Sequence, residues 1–361
     1  MKGFQYLGPG KGAKLCDIEK PVLQNPKDVI GRIKATTICG SDHHLIAGFL
    51  PDTNKLAESK PGRGLTLGHE GVIEIVEIGS EVTSLKVGDV CIVTPVNSCG
   101  KCYQCLHETS FACSDVVYAG IYSDGAIAEY IRIPYGERAL FKAPSNVPIE
   151  SLVMLSDALP TSYEVGVEAT RVQKGDRVAV IGCGPVGLSA LLTALPSKPS
   201  QIVCLDMNPF RLETAKKLGA THALNIADPT FGQEIMKIIS SNPERKPGFD
   251  VVIECAGKPE SVALAQKFIS VGGRISIVSS GLRDTPINLF ELQRRKVTIN
   301  SGFLDGHSTQ YLIDLVAKGE LDPSPLVSHR FKLSEVEKAY NVFSNPIENK
   351  TLKVLLINDE E

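Results

Sequence analysis

Arg177-Val-Ala-Val-Ile181, followed directly by Gly182-Cys-Gly-Pro-Val-Gly187 and Leu188-Ser-Ala-Leu-Leu192, reads as a strand, a tight turn and a helix. The apolar run from Val178 to Leu195 approaches membrane-spanning length, but Gly182, Gly184, Pro185 and Gly187 interrupt it. Glycines packed that closely suit a turn and not a membrane helix. The GxGxxG pattern, with Pro185 and Val186 opening the helix, lets the backbone approach a pyrophosphate at the positive helix N-terminus. Alone it is a weak signal. A second apolar strand, Gln201-Ile-Val-Cys-Leu205, leads to Asp206, nineteen residues after Gly187. A carboxylate there can accept hydrogen bonds from both adenosine ribose hydroxyls and repels a 2′-phosphate. Met207-Asn-Pro-Phe210 offers that phosphate no cation, and Arg211, opening the next helix, is expected near the adenine. Strand, glycines, helix and acid together predict binding of NAD in preference to NADP. The bland alternative is a non-binding glycine turn with a structural aspartate.

Outward from this unit, Phe249-Asp-Val-Val-Ile-Glu254 and Arg274-Ile-Ser-Ile-Val278 continue an alternation of apolar strands with helical stretches. That alternation predicts an α/β domain over residues 159–300 with a doubly wound parallel sheet of the Rossmann type. Residues 1–158 read differently, as short alternating runs broken by Gly and Pro, such as Gly71-Val-Ile-Glu-Ile-Val-Glu-Ile78, and should be mostly β. Two helical patterns and a strand ending at Ile357 then bring residues 301–361 back to the first domain. A chain of 361 residues agrees with two domains. The formal charge of −3 gives no basic surplus for nucleic acid or an anionic membrane surface. The N-terminal residues lack a secretory h-region and a transit-peptide pattern, so a cytoplasmic address is expected.

Four of the ten cysteines fall within fifteen residues, which favours metal over disulfides. Cys99, Cys102, Cys105 and Cys113 read CxxCxxCx7C, and four thiolates can close a tetrahedral Zn2+ site with no open position, hence a structural one. Iron–sulfur ligation competes, but the fourth spacing and the missing Cys-Pro are wrong for it. Cys39-Gly-Ser-Asp-His-His44 and Gly68-His-Glu70 supply a thiolate, imidazoles and carboxylates that in isolation could be structural.

CGSDHH, GHE, CxxCxxCx7C and IGCGPVG stand in the order found in the zinc-containing medium-chain dehydrogenases, and the chain resembles that family over nearly its whole length. The resemblance implies a mostly β, GroES-like catalytic domain wrapped around the Rossmann domain. It implies catalytic zinc on Cys39 and His69. It also implies a third ligand from Leu155-Ser-Asp-Ala-Leu-Pro-Thr161, a stretch that looks like the glutathione-independent formaldehyde dehydrogenase branch and makes Asp157 that ligand. One thiolate, one neutral imidazole and one carboxylate neutralise Zn2+ and leave a fourth position open. The family also implies Ser41 and His44 as hydroxyl and imidazole of a proton relay, with Glu70 a supporting partner or alternate ligand. Asp42 is expected to fix the loop or orient a ligand. Lys353 is expected to approach the pyrophosphate.

Two features depart from the pattern. Ile73 stands where a second glycine is common, and the inserted loop by which formaldehyde dehydrogenases retain their NAD has no room here, so cofactor should exchange freely. Cys16, Cys91, Cys183, Cys204 and Cys255 read as buried small hydrophobes. The expected activity is hydride transfer between NAD(H) and a primary or secondary alcohol, or its aldehyde or ketone, with two zincs per subunit and a dimeric or tetrameric homo-oligomer. A polyol or amino-alcohol dehydrogenase is the nearest rival, and a non-catalytic NAD- and zinc-binding protein is the rival in class.

Overall fold

The computed structural model describes residues 1–59, 64–241, 246–280, 282 and 284–359. Two compact units emerge, Met1–Asp157 with Asp305–Glu361, and Ala158–Leu304. The return to the first unit comes at Asp305, four residues later than the expected 301, because the strand Thr298–Ser301 still belongs to the parallel sheet.

In the first unit, alternating apolar residues build a seven-stranded sheet. Its path runs Leu140–Lys142, Val90–Val93, Gly71–Ile78, Val29–Ile38, Lys353–Ile357 and Val327–Lys332, with Tyr130–Ile133 also paired to Val29–Ile38. The C-terminal strand inserts between two others, antiparallel to Val29–Ile38 in the register Val354↔Ile38 and parallel to Val327–Lys332. That register sets Lys353 beside the end of Val29–Ile38, where Cys39 follows. Ile73, at the unexpected position, is fully buried, and its side chain fills the space that a Cβ on the facing Gly31 would occupy.

The second unit is a six-stranded parallel sheet in the order His222–Asn225, Gln201–Asp206, Arg177–Ile181, Phe249–Glu254, Ile269–Ile277, Thr298–Ser301. Its central strands are buried on both faces, with Val178, Val180, Ile202, Val203, Val251 and Val252 at or below 1% exposure, as a parallel sheet covered by helices requires. Chain order reverses on either side of Arg177–Ile181, the switch point at which such sheets bind ligands. No helix of the described residues is long and apolar enough to cross a membrane.

Candidate zinc centres and cofactor loop

Cys39 ends the long strand Val29–Ile38 and caps the helix Gly40–Ile46. Its amide donates to Asp42 Oδ2 at 2.9 Å, so the helix start and the thiol are fixed together. His69 follows Gly68, whose φ of +91° and approach to the Ile127 amide exclude a side chain (a Cβ would lie 2.9 Å from that nitrogen). Asp157 closes the turn after the helix Ile149–Met154. From three distant parts of the sequence, Cys39, His69 and Asp157 bring their ligand atoms, together with a Glu70 oxygen, within 4.8 Å of one another.

The imidazole is oriented. Nε2 faces Asp157 Oδ2 at 3.7 Å and Ser41 Oγ at 3.4 Å, while Nδ1 faces Asp42 Oδ1 at 3.8 Å. A proton held on Nδ1 leaves the Nε2 lone pair for a metal, the arrangement common to metal-binding histidines. Burial works against charge on His69, but the Cys39 thiolate and Asp157 raise its proton affinity well above the ordinary value. Burial likewise opposes ionisation of Asp157, which His69 and Lys353 nevertheless hold well below the usual carboxylate range. Two acidic donors gathered round one imidazole nitrogen fit a divalent cation, which would take the place of the proton there, and the donor set suits zinc.

Glu70 belongs to the same cluster, but its carboxylate is engaged elsewhere. Lys353 Nζ donates to both oxygens, Thr37 Oγ1 donates to Oε2, and the Glu70 carbonyl accepts from Thr36 Oγ1 at 2.6 Å. Burial pushes the Glu70 carboxyl up to about 7 against the pull of the ammonium. Burial also opposes the Lys353 charge, yet Glu70, Cys39 and Asp157 hold it above its ordinary value. Lys353, expected to approach the pyrophosphate, is paired with Glu70, and its strand register leaves it 2% exposed. Ser41 lies beside His69. His44 is exposed, edge-on to Phe49 with centroids 5.2 Å apart, and its ring makes no hydrogen bond among the described residues.

Cys99, Cys102, Cys105 and Cys113 form the second cluster, again with ligand atoms within 4.8 Å of one another. Sulfur separations of 3.5 Å (Cys102–Cys105 and Cys99–Cys113) and 3.9 Å (Cys99–Cys105) are far too long for disulfides. They bracket the edge of about 3.8 Å of a tetrahedron with metal–sulfur bonds near 2.3 Å. Burial raises the Cys105 thiol, but hydrogen bonds from Ser98, Cys102 and the Gly100 amide outweigh it and bring Cys105 to about 6, so a thiolate forms readily. Of the other thiols, Cys91, Cys183 and Cys204 are buried as expected, whereas Cys16 and Cys255 are only partly covered.

At the glycine turn, Gly182 has φ of +90° and lies so close to Ala256 that a Cβ would come within 2.8 Å of its amide. Gly187 leaves room for the Gly182 carbonyl, and Gly184 caps the helix Pro185–Ala194, whose first turn presents free amides with Pro185 and Val186 at its start. Both Asp206 oxygens accept backbone amides, from Cys183 at 2.6 Å and Asn208 at 2.8 Å, locking the acid against the loop with lone pairs to spare. Arg211 reaches further back than expected: its guanidinium stands over Gly184, and its buried Nε has no hydrogen-bond partner. An orphaned cationic donor over a phosphate-type turn fits a nucleotide. Glu254, which no motif marks, is a fully buried acid ending its strand. It accepts from the Ala256 and Gly257 amides at 2.8 Å and from the Ser261 and Ser279 hydroxyls, pinning two loops at the carboxyl edge of the sheet.

Known proteins are similar to this chain in sequence and fold. The alcohol dehydrogenase GroES-like domain family matches residues 25–145, and the zinc-binding dehydrogenase family matches residues 185–318. An L-threonine 3-dehydrogenase of Caldanaerobacter subterraneus is 33% identical over 91% of each chain. Zinc-dependent alcohol dehydrogenase 2 of Streptococcus pneumoniae superposes with a TM-score of 0.88 at 38% identity, covering 99% of both chains. An alcohol dehydrogenase (rspB) of Escherichia coli CFT073, solved with NADH, superposes with a TM-score of 0.86 at 26% identity, covering 99% of both chains.

Proposed function

This chain belongs to the zinc-type medium-chain alcohol dehydrogenase family, and from that premise we propose that it exchanges a hydride between NAD(H) and a primary or secondary alcohol or its carbonyl partner. The observation that carries the proposal is the cluster of Cys39, His69 and Asp157, an anionic three-donor set with a coordination position to spare.

Zinc held there supplies Lewis acidity toward a substrate oxygen. Asp42 accepts from the Cys39 amide and faces His69 Nδ1 at 3.8 Å, and so stands behind two of the donors. Ser41 Oγ is the hydroxyl placed to take the substrate proton, and the exposed His44 imidazole is its outlet to solvent. Glu70 is fixed by Lys353 and Thr37, and acts as a support for the site. Gly182, Gly184, Gly187, Pro185, Val186 and Arg211 bind the pyrophosphate side of the nucleotide, and Asp206 its ribose.

Asp157 supports a place beside the formaldehyde dehydrogenase-like branch, while the threonine dehydrogenase relatives support an amino-alcohol substrate. A panel of simple alcohols, polyols, L-threonine and other amino alcohols, and formaldehyde, each with NAD and NADP, tests the proposal. Zinc-dependent turnover with NAD in at least one class is expected, and zinc-independent NADH binding without turnover of any would establish the non-catalytic alternative. Replacing Asp206 by Ser removes a charge-assisted acceptor worth roughly 1.5–3 kcal/mol. The NAD KM should rise about 10- to 100-fold by that measure, while NADP use improves. An unchanged NAD:NADP ratio would remove Asp206 from the ribose site.

The thiol-rich cluster suits a reducing compartment, which supports the cytoplasmic address. A homo-oligomer is supported by the edge strand Thr298–Ser301 and the exposed apolar residues Ile287, Leu289, Phe290, Ile299 and Phe303 of the same unit. Light scattering should read a dimer or tetramer, and a monomer would dismiss it.

A further inference from the structure

Behind the candidate catalytic zinc lie three polar atoms that are buried and without an ordinary hydrogen-bond partner: Asp42 Oδ1, His69 Nδ1 and the Tyr340 hydroxyl. Their residues are 0%, 6% and 7% exposed. They come from three separate places, the helix Gly40–Ile46, the segment before strand Gly71–Ile78, and the helix Val336–Ser344. Buried polar atoms are costly unless paired. Here the pairing capacity is complementary, because one carboxylate oxygen with two lone pairs can accept from two donors, an imidazole N–H and a phenol O–H.

Asp42 Oδ1 stands 3.8 Å from His69 Nδ1, and the Tyr340 hydroxyl faces the same carboxylate. Burial and that facing charge push the phenol well above its ordinary value, so it remains a donor. Asp42 Oδ2 is already committed to the Cys39 amide. The tyrosine ring is itself held, tilted on Phe4 with centroids 4.7 Å apart and beside His43 at 5.8 Å, and His43 stacks on Phe343 one turn later at 5.3 Å. With its ring clamped on two sides, the hydroxyl can fix the rotamer of Asp42.

We propose that Tyr340 is a positioning residue: its hydroxyl donates to Asp42 Oδ1, and through Asp42 it aims His69 so that Nε2 points at the metal position. The proposal rests on the zinc reading of Cys39, His69 and Asp157. It adds a third layer, contributed by the C-terminal part of the chain, to a ligand set contributed by the N-terminal part. Substitution of groups that orient a metal-binding histidine lowers metal affinity by about 10- to 100-fold, and Tyr340, one step further out, should fall at the lower end.

The test is zinc release from the purified, zinc-loaded full-length protein into excess chromogenic chelator, compared for the wild type, Tyr340→Phe, Asp42→Asn and the double variant. Phenylalanine keeps the ring against Phe4 and removes only the hydroxyl. Wild type should release two zincs in two phases. Tyr340→Phe should accelerate one phase by about tenfold, leave the phase of the four-cysteine site unchanged, and add nothing further in the presence of Asp42→Asn, because it acts through Asp42. Unchanged release, equal acceleration of both phases, or additive effects of the two substitutions would each overturn the proposal. If the wild type itself carries zinc only at the four cysteines, the reading of the catalytic site fails, and that failure is visible before any Tyr340 variant is made.

Discussion

Asp157→Asn is expected to lower kcat by about 10³-fold or more while leaving the affinity for NADH essentially unchanged. The substitution keeps the size of the side chain and removes one of two anionic donors. It alters a ligand that His69 and Lys353 hold in the ionised form. Loss of Lewis acidity at a substrate oxygen forfeits several kcal/mol of transition-state stabilisation, and about 4 kcal/mol corresponds to three powers of ten in rate. NADH binding should survive because Gly182, Gly184, Gly187 and Asp206 all belong to the unit Ala158–Leu304, whereas Asp157 closes the other unit. Steady-state kinetics beside fluorescence titration with NADH separates the two. Turnover within a few-fold of wild type would show that Asp157 is not a ligand.

The second large effect concerns stability. Glu70→Gln takes from the Lys353 ammonium, 2% exposed, the carboxylate that accepts from its nitrogen, leaving the more distant charges of Cys39 and Asp157. Breaking a buried pair from one side costs about 3–5 kcal/mol, because the surviving charge stays buried without compensation. Removing both charges, as Glu70→Gln with Lys353→Met, should recover most of that loss, since a buried ion pair contributes little net stability over an apolar pair of similar size. Thermal unfolding of the two variants at equal zinc loading reads the difference. A single variant as stable as wild type, or a double variant worse than the single, would contradict the pairing.

The two sites differ in how far the sequence reveals them. The four cysteines lie within one loop, and the glycine turn with Asp206 spans one strand–helix–strand unit, so spacing alone carries their chemistry. Asp157 needed the family resemblance, because nothing in Leu155-Ser-Asp-Ala-Leu-Pro-Thr161 marks that acid as a ligand until the fold brings it to His69 Nε2. The pairing of Lys353 is hidden in the sequence for a related reason. Its partner is 283 positions away, and only the register Val354↔Ile38 of the inserted C-terminal strand shows that it meets Glu70. Tyr340, likewise, has no local motif, and its apolar surroundings give it the look of an ordinary core tyrosine. Glu254 carries a readable hint, an acid closing the apolar run Val251-Val-Ile253, but its partners lie in two loops and a helix start whose proximity is a property of the sheet order. Ile73 shows the converse: a departure that looks like a packing problem in sequence is absorbed by the missing side chain of Gly31 on the neighbouring strand.

Metal content tests directly whether the protein holds two zinc ions with opposite tasks. Elemental analysis of protein purified without added metal or chelator should give about two zincs per polypeptide, one for each site type. The value should fall to about one in Asp157→Asn and, separately, in Cys105→Ser. One zinc in the wild type, or a count unmoved by Asp157→Asn, would contradict the open site formed by Cys39, His69 and Asp157.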